Sequence, residues 1–320
     1  MIHLLINENY PIIAFIGILF AFVCTCLFTA KLKKYLPTDA GRDFAHDGKL
    51  SAGKPRGAGI IFTLVFAASG LIFANLSVEL GIYIFLVVVE MLTGYLDDAS
   101  DKPWGEWKKG LLDLLVAAVA AITYYYFNGS TIALAMLGIE VTIPPVIFIL
   151  LAIILVWASI NVTNCADGVD GLSGTLTIIT LGTIYIISEI QGLGGEFGFL
   201  NLIFIVCILG YLWYNATPSL LLMGDAGSRA MGFFISIAIL KTGSPFLYLL
   251  VAFVLLVDGG LGLVKVSLIR VFKIHILKNT RTPLHDHVRK ILGWSNTQTV
   301  FRFAIIQIVI SVAAVYIVMM

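Results

Sequence analysis

Five aspartates stand where long apolar runs end: Asp97 and Asp98 after Leu96, Asp167 and Asp170 in the run Asn164 to Gly171, and Asp225 in Met223-Gly224-Asp225-Ala226-Gly227-Ser228. In a chain that is 59% hydrophobic and only 12% charged, carboxylates gathered at apolar boundaries are costly. A bound cation, or phosphate chemistry that uses one, offsets that cost. Oxygen ligands without a His–Cys cluster select a hard cation. Mg²⁺ takes one or two carboxylates and completes its octahedron with water and phosphate oxygens, so Mg²⁺ is the expected cofactor.

The residues between the acids support phosphate chemistry. Asp167 and Asp170 are three apart, so a helical turn would set both carboxylates on one face. The small residues of Gly224 to Ser228 would let backbone N–H groups at a helix start approach a phosphate, whose charge the helix N-terminus favours. Gly168 and Gly171 would do the same beside Asp167 and Asp170. Any one such run is also ordinary turn chemistry. A later segment, Thr282 to Trp294, holds His285 and His287, which read as donors to a pyrophosphate or partners of an aspartate.

The elements that position these residues are membrane spans. Composition and repeated apolar runs of bilayer length give an all-α, polytopic integral membrane protein, one transmembrane domain over residues 1–320, and exclude a soluble globular domain. About ten spans are expected, near 11–31, 57–76, 80–97, 110–127, 145–160, 172–189, 198–214, 228–241, 245–271 and 301–319, the first a retained anchor. Every Lys and Arg except Lys241 falls in an odd-numbered connection or the helix ends beside it, which puts those connections in the cytoplasm and both termini outside. All five aspartates then share the cytoplasmic face. Tyr124 to Phe127 reads as an interfacial belt on the other face. Cys24, Cys26, Cys165 and Cys207 lack metal-ligand spacing and read as packed thiols. Span nine is too long for a simple crossing and has Asp258-Gly259-Gly260 near its middle, so a break or strong tilt is expected there. Glu90 and Asp113 fall inside spans three and four, as a buried polar pair or a support to the chemistry.

Taken together, the Asp-Asp pair, Asn164-x-x-Asp167-Gly168-x-Asp170-Gly171-Leu172, Asn215-Ala216-x-Pro218 leading into Met-Gly-Asp-x-Gly-Ser, and the late His-x-His resemble the polyprenyl-phosphate N-acetylhexosamine-1-phosphate transferases. Pro283 to His287, Gly293-Trp294 and Val300-Phe301-Arg302-Phe303 are most similar to one family within them, the phospho-N-acetylmuramoyl-pentapeptide transferases or translocases I. The resemblance implies transfer of phospho-MurNAc-pentapeptide from UDP-MurNAc-pentapeptide to undecaprenyl phosphate. UMP leaves and lipid I forms, with Mg²⁺, at the cytoplasmic face of a bacterial cell membrane, in peptidoglycan biosynthesis. It implies Asp225 as the metal ligand and Asp97, Asp98, Asp167, Asp170, Asp225 and His285 as the catalytic set. Asn164, Gly168, Asn215, Lys109, His287 and Lys54 become substrate contacts. A homodimer is compatible with this reading, the bilayer is its medium, and no nucleic acid is implied. A groove opened by the break in span nine would admit the polyprenyl tail.

Three departures from the family pattern stand out. The family's His-His-His-x-Glu is replaced by His285-Asp286-His287-Val288-Arg289, and its Lys-x-x-x-Gln by Lys109 with Asp113 four residues on. Its Gly-Thr-Pro-Thr-Met-Gly-Gly becomes Gly53-Lys54-Pro55-Arg56-Gly57-Ala58-Gly59, which leans towards the transferases that use UDP-GlcNAc. That donor is the alternative. A secondary transporter is the remote one, since its binding acids would sit at mid-bilayer in two related halves. Direct attack by the lipid phosphate is favoured over a covalent aspartyl intermediate, because phosphoryl transfer needs mainly positioning and electrostatics.

Overall fold

The computed structural model describes residues 10–41, 51–100, 102, 104–135 and 137–320. All ten apolar runs are helical. They form α1 (Tyr10–Leu32), α2 (Gly59–Phe73), α3 (Val78–Asp98), α4 (Glu106–Asn128), α5 (Pro145–Cys165), α6 (Leu172–Ile190), α7 (Gly195–Asn215) and α8 (Gly224–Lys241). After these come the bent pair α9 (Pro245–Val251) and α10 (Phe253–Phe272), a short α11 (Leu284–Lys290) and α12 (Asn296–Met319). Seven of these helices are long and apolar enough to cross a bilayer, and the bent pair makes up to eight. The protein is thus a multi-pass membrane protein. Two members of the expected ten fall short of that measure: α2 has 15 residues, and α8 carries Asp225, Arg229 and Lys241.

The fold is nearly, not wholly, α. Thr131–Leu134 (β1) and Ile139–Thr142 (β2) pair antiparallel, Thr131 opposite Thr142, across a turn with Gly138 at φ +61°. The β-branched residues here favour a pleated ribbon over a helix. Ala133 N–H donates to Gly243 O at 2.8 Å, which docks the hairpin on the loop after α8. Tyr124, expected in an interfacial belt, instead turns inward, stacks on Phe148 and donates its hydroxyl to Leu240 O at 2.8 Å.

α8 is the axis of the bundle. From Gly224 to Leu240 every residue is buried, whereas the most apolar windows of α1 and α12 are only 28% buried and present their apolar side chains to lipid. Small residues let the backbones close on this axis. A Cβ on Gly59 of α2 would enter the backbone of Gly227, one on Gly94 of α3 would enter that of Asp225, and one on Gly232 would stand 2.7 Å from Ile160 Cα of α5. Phe66, Phe204 and Phe234 then fill the space between α2, α7 and α8 with edge and tilted ring contacts.

Span nine breaks as expected, but six residues early. α9 and α10 meet at 74° around Ala252, while Asp258-Gly259-Gly260 lies in a π-helical turn within α10. Gln307 of α12 makes the break tolerable: its Oε1 accepts from Val254 N–H at 2.8 Å and its Nε2 donates to Leu250 O at 3.0 Å. Backbone groups freed by a bend in an apolar medium need such partners.

Candidate active site

The site begins where α3 ends and α8 starts. The close approach at Gly94 brings Asp98 onto the first turn of α8, where its Oδ2 accepts from Ala226 N–H at 3.2 Å. A Cβ on Gly224, which has φ +67°, would collide with the same carboxylate. The helix N-terminus expected to seat a phosphate is therefore occupied by Asp98, a buried acid at the positive end of the helix dipole. α8 also starts four residues earlier than expected, so Asp225 lies within its first turn.

Two cations tie the acids together. Lys109 of α4 contacts the Asp97 carboxylate and lies 3.0 Å from Asp225 Oδ2. Arg56 places Nε 2.9 Å from Asp98 Oδ1, Nη2 3.5 Å from Asp225 Oδ1 and Nη1 3.2 Å from Asp39 Oδ1. Burial lowers the pKa of the Arg56 guanidinium, and the carboxylates of Asp98, Asp225 and Asp39 more than offset it, holding it above its ordinary value. Ala58 N–H to Leu222 O, Gly59 N–H to Met223 O and Leu222 N–H to Pro55 O stitch the Arg56 segment to the loop before α8.

Asp167 and Asp170 do not form a pair. Residues 167–170 are non-helical, so the two carboxylates take separate partners. Asp167 Oδ1 accepts from Ser173 Oγ at 2.6 Å. Asp170 Oδ2 accepts from Ser219 N–H at 3.2 Å and lies 3.8 Å from Lys54 Nζ, which also donates to Ser219 Oγ at 2.9 Å. Asn164 donates to Ser228 Oγ at 2.9 Å, on the first turns of α8. Asn215 is buried and closes a turn, accepting from Gly171 N–H at 2.8 Å and donating to Leu221 O at 2.8 Å. Gly171 is pinned by that bond instead of facing a phosphate.

His285 has a built environment. Asp258 accepts from the His285 backbone N–H with Oδ1 at 2.7 Å and meets Nδ1 with Oδ2 at 2.8 Å. The opposite ring nitrogen, Nε2, lies over Gly168, where a Cβ would collide with it. Arg289 holds α11 in place by donating to Gly168 O at 3.2 Å and Asp286 Oδ1 at 2.7 Å. His287 turns to its own loop, its Nδ1 accepting from Arg281 N–H at 3.2 Å. The end of α5 links the two clusters: Asn164 reaches Ser228 of α8, and four residues on Gly168 lies under the His285 ring.

Sequence reasoning missed Asp39, Arg56 and Asp258 as site residues. Asp39 gave no motif, and part of its segment, residues 42–50, is outside the described residues. Asp258 was marked only as a break. Glu90 and Asp113 do not pair with each other: both bind Arg229, which charge counting took as a mark of topology at a helix end and which is buried inside the bundle.

The donor set fits a hard cation. Among the described residues no three His, Cys, Asp or Glu side chains form a ready cage. Asp225 faces the cluster, however, and Asp98 Oδ1, though 2.9 Å from Arg56 Nε, is buried without an aligned hydrogen bond. One or two carboxylate oxygens plus phosphate oxygens is the set Mg²⁺ takes. Four carboxylates (Asp39, Asp97, Asp98, Asp225) against two cations (Lys109, Arg56) leave negative charge in excess to attract it.

A membrane bundle with acids and bases gathered at one end of its central helix suits phosphate chemistry, and the known proteins it resembles support a phosphosugar transferase. Residues 80–243 match the model of glycosyl transferase family 4. Phospho-N-acetylmuramoyl-pentapeptide-transferase of Treponema pallidum (strain Nichols) is 37% identical over 318 residues, 94% of this chain and 88% of that one. The enzymes of that name from Thermotoga neapolitana and Borreliella burgdorferi (strain B31) are 30% identical over 274 residues and 27% over 322, covering 82% and 89% of this chain and 84% and 88% of theirs. The chain belongs to the phospho-N-acetylmuramoyl-pentapeptide transferase family.

Proposed function

We propose that the protein transfers phospho-MurNAc-pentapeptide from UDP-MurNAc-pentapeptide to undecaprenyl phosphate, releasing UMP and forming lipid I. The observation that carries this reading is the cluster of Asp97, Asp98 and Asp225 bridged by Lys109 and Arg56 at the start of α8. Asp225, with Asp98 beside it, would hold Mg²⁺, which screens the pyrophosphate and stabilises the departing UMP.

The remaining steps belong to the chain's own residues. Phosphate oxygens can replace the carboxylates as partners of Lys109 and Arg56, so both turn to phosphate when substrates enter. Asp97 and Asp98 orient the attacking lipid phosphate, already largely dianionic near neutral pH. Lys54, beside Ser219 and Asp170, contacts the nucleotide side of the donor. His285, oriented by Asp258, presents Nε2 to the phosphates. Attack is direct, with alignment and charge stabilisation supplying the rate.

The membrane places the reaction. We read ten crossings, with α2, α8 and the bent α9–α10 pair among them, both termini outside and the site at the cytoplasmic face of the bacterial membrane, on the strength of the Lys and Arg distribution. An apolar groove of about 320 Å³ beside the bend, lined by Phe148, Leu151, Leu155, Leu249 and Leu256, suits a polyprenyl tail.

One observation favours the UDP-GlcNAc reading as an alternative: Arg56, from the departing Gly53 to Gly59 run, sits within the acid cluster. The test is UMP release by the purified protein with undecaprenyl phosphate, Mg²⁺ and either donor, with EDTA as control. Release with UDP-MurNAc-pentapeptide that EDTA abolishes is expected. Release with UDP-GlcNAc alone overturns the choice of sugar.

A further inference from the structure

Inward from the acid cluster lies a second layer of charge drawn from the same three helices. α3 contributes Glu90, α4 Asp113 and α8 Arg229. Arg229 follows Asp225 by four residues, Asp113 follows Lys109 by four, and Glu90 precedes Asp97 by seven, so each inner residue shares a helix face with an outer one. The signs of α4 and α8 are exchanged between layers: Lys109 meets Asp225 in the outer one, Asp113 meets Arg229 in the inner one.

The inner layer is buried and cross-linked. Arg229 Nε lies 3.1 Å from Glu90 Oε1, its Nη2 contacts Asp113 Oδ1, and Asp113 Oδ2 accepts from Asn161 Nδ2 of α5 at 3.1 Å. Glu90, Asp113 and Arg229 are 0%, 1% and 2% exposed. A cation forked between two carboxylates at such depth holds its three helices strongly, because separating it strands charge in a medium that does not solvate it.

The consequence falls on Lys109. α4 packs chiefly on α5 and α3 and touches α8 only slightly. Its two ionic contacts with α8, Lys109 to Asp225 and Asp113 to Arg229, therefore carry much of that junction. Lys109 has a flexible stem, so the place where its ammonium meets Asp97 and Asp225 depends on where its backbone is held. Asp113, one turn inward, ties that backbone to α8, beside the packing of α4 on α5 and α3.

We propose that Arg229 is a positioning residue: by clamping Asp113 and Glu90 to α8 it sets where Lys109 meets Asp97 and Asp225. The functional weight of this rests on the transferase reading, but the placement is measured without turnover. The full chain, purified in detergent, is treated with an amine-reactive reagent, and modification of Lys109 and of Lys241 is followed by mass spectrometry. Lys241 is the internal control, since it is ion-paired with Glu79 at the far end of the same helix.

In the neutral variant Glu90→Gln/Asp113→Asn/Arg229→Gln, Lys109 modification is expected to speed up at least about threefold, the low end of coupling within one ion-pair network. Lys241 modification stays unchanged, and kcat falls while the KM for the donor holds. Equal acceleration at both lysines means general loosening and overturns the proposal, as does unchanged Lys109 modification in the folded variant. Should the triple variant fail to fold, Arg229→Lys decides, since an ammonium keeps the charge but loses the fork: faster Lys109 modification supports the proposal and an unchanged rate overturns it. Absence of UMP release by the wild-type protein with either donor defeats the transferase reading and leaves the labelling result intact.

Discussion

Asp98 and Ala226 are joined by a hydrogen bond of 3.2 Å from the Ala226 N–H to the Asp98 carboxylate, so the last residue of α3 caps the helix that carries Asp225. This contact exists because Gly94 and Gly224 leave no side chain between the two helices. Close helix packing and the gathering of acids are one event here.

Gly94→Ala tests that dependence against a control on the same helix. A methyl at Gly94 would enter the Asp225 backbone, whereas one at Gly81 meets nothing within 4 Å. Gly94→Ala is expected to destabilise by about 1–3 kcal/mol through overpacking and to cut UMP release sharply. Gly81→Ala is expected to stabilise by roughly 0.5–1 kcal/mol, the ordinary helix preference for alanine over glycine. Thermal melts and turnover of the two variants read the difference.

Asp258→Asn keeps the shape beside His285 but replaces a carboxylate that grips both its backbone N–H and its Nδ1. The amide can present an N–H to Nδ1 and reverse the tautomer, which moves the ring proton to Nε2, or it misorients the ring. Turnover is expected to fall by about 10²-fold, the scale of a lost positioned acid or base, with the protein folded. Turnover with UDP-donor and lipid phosphate, beside a melting curve, checks it.

Arg229→Met strands Glu90 and Asp113 together in the bundle and is expected to cost about 3–5 kcal/mol of stability, as for other half-removed buried ion pairs. The neutral triple variant is expected to melt much closer to the wild type. Detergent-solubilised melting temperatures of both variants make the comparison.

Gln307→Leu removes the only side-chain partners given to the broken backbone at Val254 and Leu250 among the described residues. The expected loss is about 1–3 kcal/mol per group left unpaired. Hydrogen exchange should rise at residues 250–256 and leave α8 protected. Uniform protection across both segments contradicts this role.

Helices were legible because an apolar run of bilayer length has few alternatives, and the acids were legible because charge is so rare in this chain. Tertiary relations were not. The pairing of Asp258 with His285 spans 27 residues and the loop between α10 and α11, and nothing in the spacing of Asp167 and Asp170 disclosed that the turn between them is non-helical. The partners of Arg229 were not legible because a positive charge at a helix start reads as topology when its two acidic partners lie on other helices. The β-hairpin escaped because four-residue strands between spans carry little pattern.

The central claim is that Asp225 anchors the chemistry at the start of α8. UMP release by Asp225→Asn, measured beside the wild type with undecaprenyl phosphate, UDP-MurNAc-pentapeptide and Mg²⁺, tests it most directly. The expected result is a loss of at least roughly 10²-fold in turnover, the scale of one preorganised electrostatic element, in a protein whose melting curve is preserved. Near-normal turnover in that folded variant would contradict the account.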